Sequence, residues 1–537
     1  MSEIKRLKSV FVIPCLIVFV FSVISIGASV ESTNHQASEV GIDLSRNIAI
    51  LDSDYSDCLE TLENEADNMD DDFLMNINEF EYNKRSIEQG ISYLFSTRAD
   101  PHRKRGEFAL FESSNRDMSG EVYIKINFGT PFVYHSLSFL EDLPLNSSKL
   151  NEIDIMRKDA IAFMKRHKEI DNYDDPNVLG VDTGGAVWRY YYKPYIHKYR
   201  MGNIFRTLVP PDIDDTVVIL HALYENGENI DDYYPTTATD YFINYQLRDD
   251  FVTHKRVYKK LLSTYFPRRI FAISRIIEIM DNFLNLYFIP PVHLQYNTFN
   301  SWVYEQNQSR FFKLEAYDVV VNANVLFFYS TQLNTPDLQN QIPEVFDYIN
   351  YASDKMNENR QNAIFPGPFG CDNWTGTEIV TRVYPSPFTF TYFVSRAYKD
   401  GGAPVTGNHS IDINKIKEYI LADDNNDGQP DRQNTDGSWG NFEMIDGRKI
   451  LVTNDLQTAL ATLTLLNIYG TLNTSDKVIA KTAIDKSIEY LLENQNPDGS
   501  WDSAFWFWGA PLTPYTGSAE ITTGFVLEAL AKYQAII

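Results

Sequence analysis

The chain has 537 residues, of which 44% are hydrophobic, enough to fill the core of one large domain or several ordinary ones, and this excludes global disorder. Its 73 acidic against 47 basic residues give a formal net charge of -26, a surface that repels phosphate backbones and excludes nucleic acid as a partner. Only three cysteines are present, Cys15, Cys58 and Cys371, which excludes a disulfide framework and a cysteine zinc site and leaves at most one bridge.

Lys5, Arg6 and Lys8 precede an uncharged apolar run from Val10 to Ala28, which fits a cleaved secretory signal and a retained N-terminal membrane anchor equally. In both cases the rest of the chain is expected outside the cytoplasm: secreted, periplasmic, or held at the outer face of the cytoplasmic membrane. Residues 29–82 are expected to form an acidic flexible tether, because Asp52 to Asp72 carries ten acidic residues and no Lys or Arg. A single domain is then expected over residues 83–537, with insertions at about 225–300 and 422–435.

Within that domain a helical phrase repeats. Ser487 to Gln495 leads to Asp498-Gly-Ser-Trp501 and an apolar helix from Ala519 to Tyr533, while Ile416 to Leu421 leads to Asp436-Gly-Ser-Trp439 and a helix from Asp455 to Tyr469. Weaker copies run from Ser92-Tyr-Leu-Phe95 through Gly106-Glu-Phe108 to a helix at Phe132 to Leu140, and from Ala160 to Phe163 through Trp188 to a helix at Asp215 to Tyr224. Apolar helices near Asp318 to Tyr329 and Phe388 to Tyr398 complete six second helices, each preceded by a more polar first one. Six such hairpins closed in a ring predict an all-α fold, an (α/α)6 toroid with apolar inner and amphipathic outer helices. Phe251 to Ile289 interrupts the ring with seven basic residues among apolar stretches, and reads as an outer helix pair with a basic face or as a surface for an anionic membrane. The Gly-Ser-Trp turns are expected to be structural, with Gly permitting the turn and Trp439 and Trp501 packing between hairpins.

Pro211-Asp-Ile-Asp-Asp-Thr216 opens the second inner helix and places Asp212, Asp214 and Asp215 within four positions. So many like charges cannot all ionise cheaply, so at least one carboxyl is expected to keep its proton well above the ordinary range. One Asp there also suits a helix cap.

These residues resemble a known family. Pro-Asp-Ile-Asp-Asp-Thr is similar to the Asp-x-Asp-Asp-Thr motif of the squalene-hopene cyclase superfamily, and Gln433 to Trp439 and Gln495 to Trp501 are similar to its Gln-Trp repeats, with Arg98 standing where the first repeat would carry Gln. The resemblance implies a toroid like the terpene cyclase β-domain and a proton-initiated cyclisation of a linear isoprenoid. Asp214 would be the general acid, Asp212 and Asp215 its electrostatic partners, and one of the nine histidines would hydrogen-bond it, with His293 at a suitable distance downstream. The implied partner is an isoprenoid or other hydrophobic small molecule, with no organic cofactor.

Two other readings keep the ring. A glycan-active hydrolase or lyase would need a second carboxyl opposite Asp214 or Asp215, for which Glu520 and Asp455 at other inner-helix starts are the candidates. A non-catalytic toroid would bind a lipid or partner with the aspartates as cap.

Asp423, Asn425, Asp427 and Asp431 stand at relative positions 1, 3, 5 and 9 with Gly428 at 6, the oxygen-ligand spacing of a calcium loop, so a structural Ca²⁺ is expected there. A polar turn of the same composition needs no ion.

Overall fold

The computed structural model describes residues 71–100, 103–170, 186–188, 213–234, 236–243, 299, 318–360, 384–445, 448–510 and 513–535. The apolar run Val10 to Ala28, the three cysteines, Asp212, His293 and the basic stretch Phe251 to Ile289 lie outside the described residues. Among the described residues no helix is long and apolar enough to cross a membrane.

The chain divides into two compact units, Met1–Tyr82 and Asn83–Ile537. Of the first, only 71–82 are described, and they are helical, the opening of α1 (Asp71–Thr97). The expected tether is therefore helix over that part. Phe73, Leu74, Ile77 and Phe80 recur at helical spacing, and Asp71 and Asp72 suit a helix start.

In the second unit, six helices follow the pattern read from the sequence: α2 (Gly129–Ser138), α4 (Ile213–Glu225), α6 (Val319–Gln332), α9 (Pro387–Lys399), α11 (Asp455–Ile468) and α13 (Ala519–Gln534). Each packs on the next, and α13 packs back on α2, so the six close into a ring. All fourteen residues of α11 are buried, as expected of a helix with no polar face. Ser386, Asn454 and Ser518 cap α9, α11 and α13 by accepting a backbone N–H, which satisfies helix-start amides that the core shields from water.

The outer helices are α1, α3 (Ser147–Arg166), α8 (Pro343–Glu358), α10 (Ile413–Ile420) and α12 (Thr474–Glu493), with short α5 (Ala238–Ile243) and α7 (Thr335–Gln341) between elements. They are amphipathic. On α12 the buried positions are Ala480, Ala483, Ile484, Ser487, Ile488, Leu491 and Leu492, one stripe turned to the ring. The second unit is thus an α/α toroid, with six inner and five outer helices among the described residues.

One turn holds each hairpin. The backbone N–H of Phe108, Trp188, Trp439 and Trp501 donates to the hydroxyl of Thr130, Thr216, Thr458 and Thr523 at 3.0 to 3.2 Å, and that of Phe299 donates to Asn322 Oδ1 at 2.9 Å. Among the described residues, five of the six inner helices are hooked this way. The glycine two residues before three of these aromatics, Gly106, Gly437 and Gly499, has φ of +87°, +89° and +92°. A Cβ there would lie 1.9, 2.0 and 2.3 Å from the carbonyl oxygens of Asp159, Lys486 and Gln89 on α3, α12 and α1. Gly is required both by the backbone conformation and by this approach.

The glutamines then bind each repeat to its successor. Gln433 Nε2 donates to Ala483 O at 2.8 Å and Ser487 Oγ at 3.0 Å on α12, and Gln495 Nε2 donates to Ser86 O at 2.9 Å on α1, which ties the last repeat to the first. Arg98 makes the equivalent tie with a different chemistry: its guanidinium is ion-paired with Asp159 of α3, whose other oxygen accepts from Arg105 at 2.8 Å.

Strands that the sequence pattern does not reveal occupy the connections. β1 (Leu110–Ser113), β2 (Val122–Ile124), β7 (Phe505–Ala510) and β8 (Thr513–Gly517) form one sheet in the order β2-β1-β8-β7, while β3 (Glu169–Ile170) pairs with β4 (Ala186–Val187) and β5 (Gly440–Ile445) with β6 (Arg448–Thr453). Antiparallel β1 and β8, in register Phe111 with Gly517 and Ser113 with Tyr515, make a second tie between the first and last repeats.

Candidate active site

Asp214 and Asp215 fall in the first turn of α4, both buried. Asp214 Oδ2 accepts from the hydroxyl of Tyr384 at 2.5 Å, and Oδ1 accepts from Asn324 Nδ2 at 2.7 Å. Asn324 lies on α6 and Tyr384 three residues ahead of α9, so three successive inner helices converge on one carboxyl. Asn324 Oδ1 in turn accepts from Arg396 of α9 at 2.8 Å, which fixes the amide with its NH2 toward Asp214. Burial pushes the Asp214 carboxyl up to about 7, with Asp318 adding to the rise and Tyr384, Asn324 and Arg396 opposing it. The result is an acid poised near neutrality, where proton donation and recovery are both accessible.

Aromatic rings adjoin it. Tyr384 lies 6.0 Å from Trp506, 5.9 Å from Phe507 and 6.2 Å from Phe393, centroid to centroid. Trp506 stacks on Phe128 at 5.3 Å and meets Phe132 edge-on at 5.0 Å. Trp506 and Phe507 arrive on β7, from the repeat that closes the ring, and the buried indole N–H of Trp506 has no hydrogen-bond partner among the described residues. The arrangement links one protonatable carboxyl, through Tyr384, to a cluster of aromatic rings, a combination that can deliver a proton and tolerate positive charge nearby.

Of the expected catalytic residues the structure brings Asp214 into this setting and buries Asp215 beside it in sequence, while Asp212 lies outside the described residues. Asn324, Tyr384, Arg396 and Trp506 were not singled out from the sequence. For two of them a signal was visible: Asn324 stands between Val321 and Val325 in the apolar first turns of its helix, and Arg396 is a charged residue among the buried positions of α9.

The carboxyls named for a glycan reading sit at the starts of α11 and α13. Asp455 accepts from the backbone N–H of Asp502 at 3.2 Å, and burial pushes it up to about 6. Glu520 is pushed up by burial and pulled down by Arg103, with which it is ion-paired.

The Asp423 to Asp431 loop is exposed and turns sharply at Gly428, whose φ is +82°. Asp423 Oδ1 and Asn425 Oδ1 accept from the backbone N–H of Asp427 at 3.0 and 2.9 Å, Asp423 Oδ2 accepts from Gly428 at 2.9 Å, and Asp431 Oδ2 accepts from Asp424 at 3.1 Å.

No family model and no curated protein matches the sequence. Solved structures similar to this one include the type II terpene cyclase MstE from Scytonema, 14% identical over 85% of this chain and 100% of that one, with a TM-score of 0.44. Cellobiose 2-epimerase from Bacillus thermoamylovorans is 11% identical over 85% of this chain and 99% of that one, with a TM-score of 0.42. An unsaturated glucuronyl hydrolase specific for heparin is 10% identical over 85% of this chain and 98% of that one, with a TM-score of 0.40. The assignment of a toroid rests on the closed ring of helices itself.

Proposed function

We propose that this protein is a class II terpene-cyclase-like enzyme in which Asp214 protonates a linear isoprenoid and so starts its cyclisation. The observation that carries the reading is a buried carboxyl that accepts from Tyr384 and Asn324, with Tyr384 itself packed in a cluster of aromatic rings. In the first step the Asp214 O–H bond breaks and a C–H bond forms at one end of a substrate alkene, leaving the positive charge on the more substituted carbon. The next alkene supplies its electron pair to that carbon, closing a ring and moving the charge to its own more substituted carbon, and loss of a proton from an adjacent carbon to solvent or to the Asp214 carboxylate gives a neutral cyclic isomer of the substrate. Tyr384 and Asn324 stabilise the carboxylate left behind by donating to its two oxygens, with Arg396 acting through Asn324. The faces of Tyr384, Trp506 and Phe393 meet the migrating charge through their quadrupoles, an interaction worth about 0.5 to 2 kcal/mol per ring.

The test is turnover of linear polyprenyl substrates by purified protein, with products separated by mass. Asp214→Asn is expected to lower formation of cyclised product on the order of 100-fold or more, the usual contribution of a general acid. Unchanged turnover in that variant, or no conversion of any linear isoprenoid by the wild type, removes the reading. Two further proposals come with it: that the run Val10 to Ala28 directs export, and that Asp423, Asn425, Asp427 and Asp431 hold a structural calcium ion.

A further inference from the structure

Seven and eleven residues beyond Asp214 on the same helix stand His221 and Glu225, roughly 10 and 16 Å along its axis and one turn apart from each other. His135 of α2 meets them. Glu225 Oε2 lies 3.2 Å from His135 Nδ1 and 3.7 Å from His221 Nε2, and one donor atom from each of the three residues falls within 4.8 Å of the others. We infer that His135, His221 and Glu225 form a site for a divalent transition-metal ion, with zinc the ion its donors suit, that clasps α2 to α4.

Four observations carry this. Tetrahedral zinc bound at its usual distances holds neighbouring donor atoms roughly 3.3 Å apart, and the two contacts to Oε2 straddle that value. A 3.7 Å separation is too long for a hydrogen bond, so the convergence of His221 on Oε2 is not explained as one. The histidines are 6% and 8% exposed, so the nitrogens that converge on Oε2, His135 Nδ1 and His221 Nε2, are shielded from competing water. Finally, Glu225 is already oriented to act as a ligand. Arg157 donates to Oε1 at 3.1 Å and is itself held by Tyr134 and Glu141, so Oε2 is the oxygen turned to the imidazoles.

The neighbouring group sharpens the choice. His135, Asp400 and Glu528 also bring donor atoms within 4.8 Å, but there Lys532 Nζ already lies 2.8 Å from Asp400 and 3.1 Å from Glu528 and supplies the cation. Glu225 also has a cation, Arg157, but it pairs with Oε1 and leaves Oε2 to the imidazoles. Two neutral imidazoles and one carboxylate are borderline donors suited to zinc rather than calcium or magnesium, and they leave a fourth position for water. Arg157 and Arg396, the nearby guanidinium groups, oppose a cation and set the limit on affinity.

The experiment uses the full chain, stripped with chelator and dialysed, and titrated with cobalt(II) as a spectroscopic probe and with zinc in competition. The expected result is one ion per chain with the visible absorption of four-coordinate cobalt, displaced by zinc. His221→Asn and Glu225→Gln, each checked for native circular dichroism, are expected to lose that spectrum and to weaken zinc binding on the order of tenfold or more. Glu489→Gln, at an exposed carboxylate on α12, is expected to bind as the wild type does. Absence of saturable one-to-one binding by the wild type overturns the site whatever the variants do, as does a cobalt spectrum unchanged in His221→Asn or lost in Glu489→Gln.

Discussion

A carboxyl that burial moves from its ordinary 3.8 to about 7 leaves a mark on both stability and rate. Between about pH 4 and pH 7 the folded chain keeps a proton on Asp214 that the unfolded chain has released, so the stability linked to that proton is full below about pH 4 and is lost as pH rises through about 7. Asp214→Asn, which cannot ionise, is therefore expected to raise the melting temperature by a few degrees relative to wild type at pH 8 and by much less at pH 5. An equal effect at both pH values would show that the carboxyl is not protonated in the fold. Cyclisation follows the same group: the rate is expected to be full on the acid side and to fall as pH passes about 7. Tyr384→Phe removes a donor that favours the ionised form, so the falling limb is expected to move to higher pH by roughly one unit, read from the pH dependence of kcat. An unmoved limb would mean that Tyr384 does not act on the acid.

Between residues and fold lie the aromatic turns, whose glycines separate two kinds of demand. Gly437→Ala and Gly499→Ala force a Cβ into a carbonyl of the next outer helix as well as a left-handed backbone, and each is expected to cost on the order of 2 to 4 kcal/mol in denaturant melts. Gly428→Ala meets only the backbone demand, with nothing within 4 Å of its Cβ, and is expected to cost about 1 kcal/mol. Equal losses would mean that the close approach carries no weight. These turns and the inner helices were legible in the sequence because their signals are local: a Gly-Ser-Trp phrase, and uncharged, leucine-rich runs such as Leu456 to Leu466 with no charged face for solvent. The strands were not. β1 pairs with β8 some four hundred residues away, and Phe505-Trp-Phe-Trp508 has no alternation to mark a strand. The same reason hid most of the site. Asp214 stood in a dense local motif, whereas Asn324, Tyr384 and Arg396 are single residues on separate helices that only ring closure brings together.

At the scale of the molecule the repeats do not end in caps, as an open array would need, because the last is joined to the first. Disturbance at one connection is therefore felt by the whole. The loop from Asp423 to Asp431 tests this: if it binds calcium, a hundredfold excess over the dissociation constant adds about 2.7 kcal/mol to global stability. Chelation at fixed ionic strength is expected to lower the melting temperature of the entire unit in one transition, and Asp427→Ala is expected to reproduce that loss and abolish the response to chelator. Identical melting curves with and without calcium would make the loop a polar turn.

Closure also imposes an order on the birth of the protein. Ser86 waits for Gln495 across 409 residues, and Arg103 waits for Glu520 across 417. At equilibrium so long a span adds little, since the cost of bringing chain ends together grows only with the logarithm of their separation. In time it matters more, because contacts this distant form late and the unfinished intermediate displays apolar surface. While a ribosome is still reading the message, Phe132 and Val133 of α2 have no α13 to cover them, since Ala519 to Gln534 lies several hundred residues further along the chain. Until then the nascent chain is an arc with two sticky edges, and the arrival of α13, rather than any early nucleus, decides when those edges disappear.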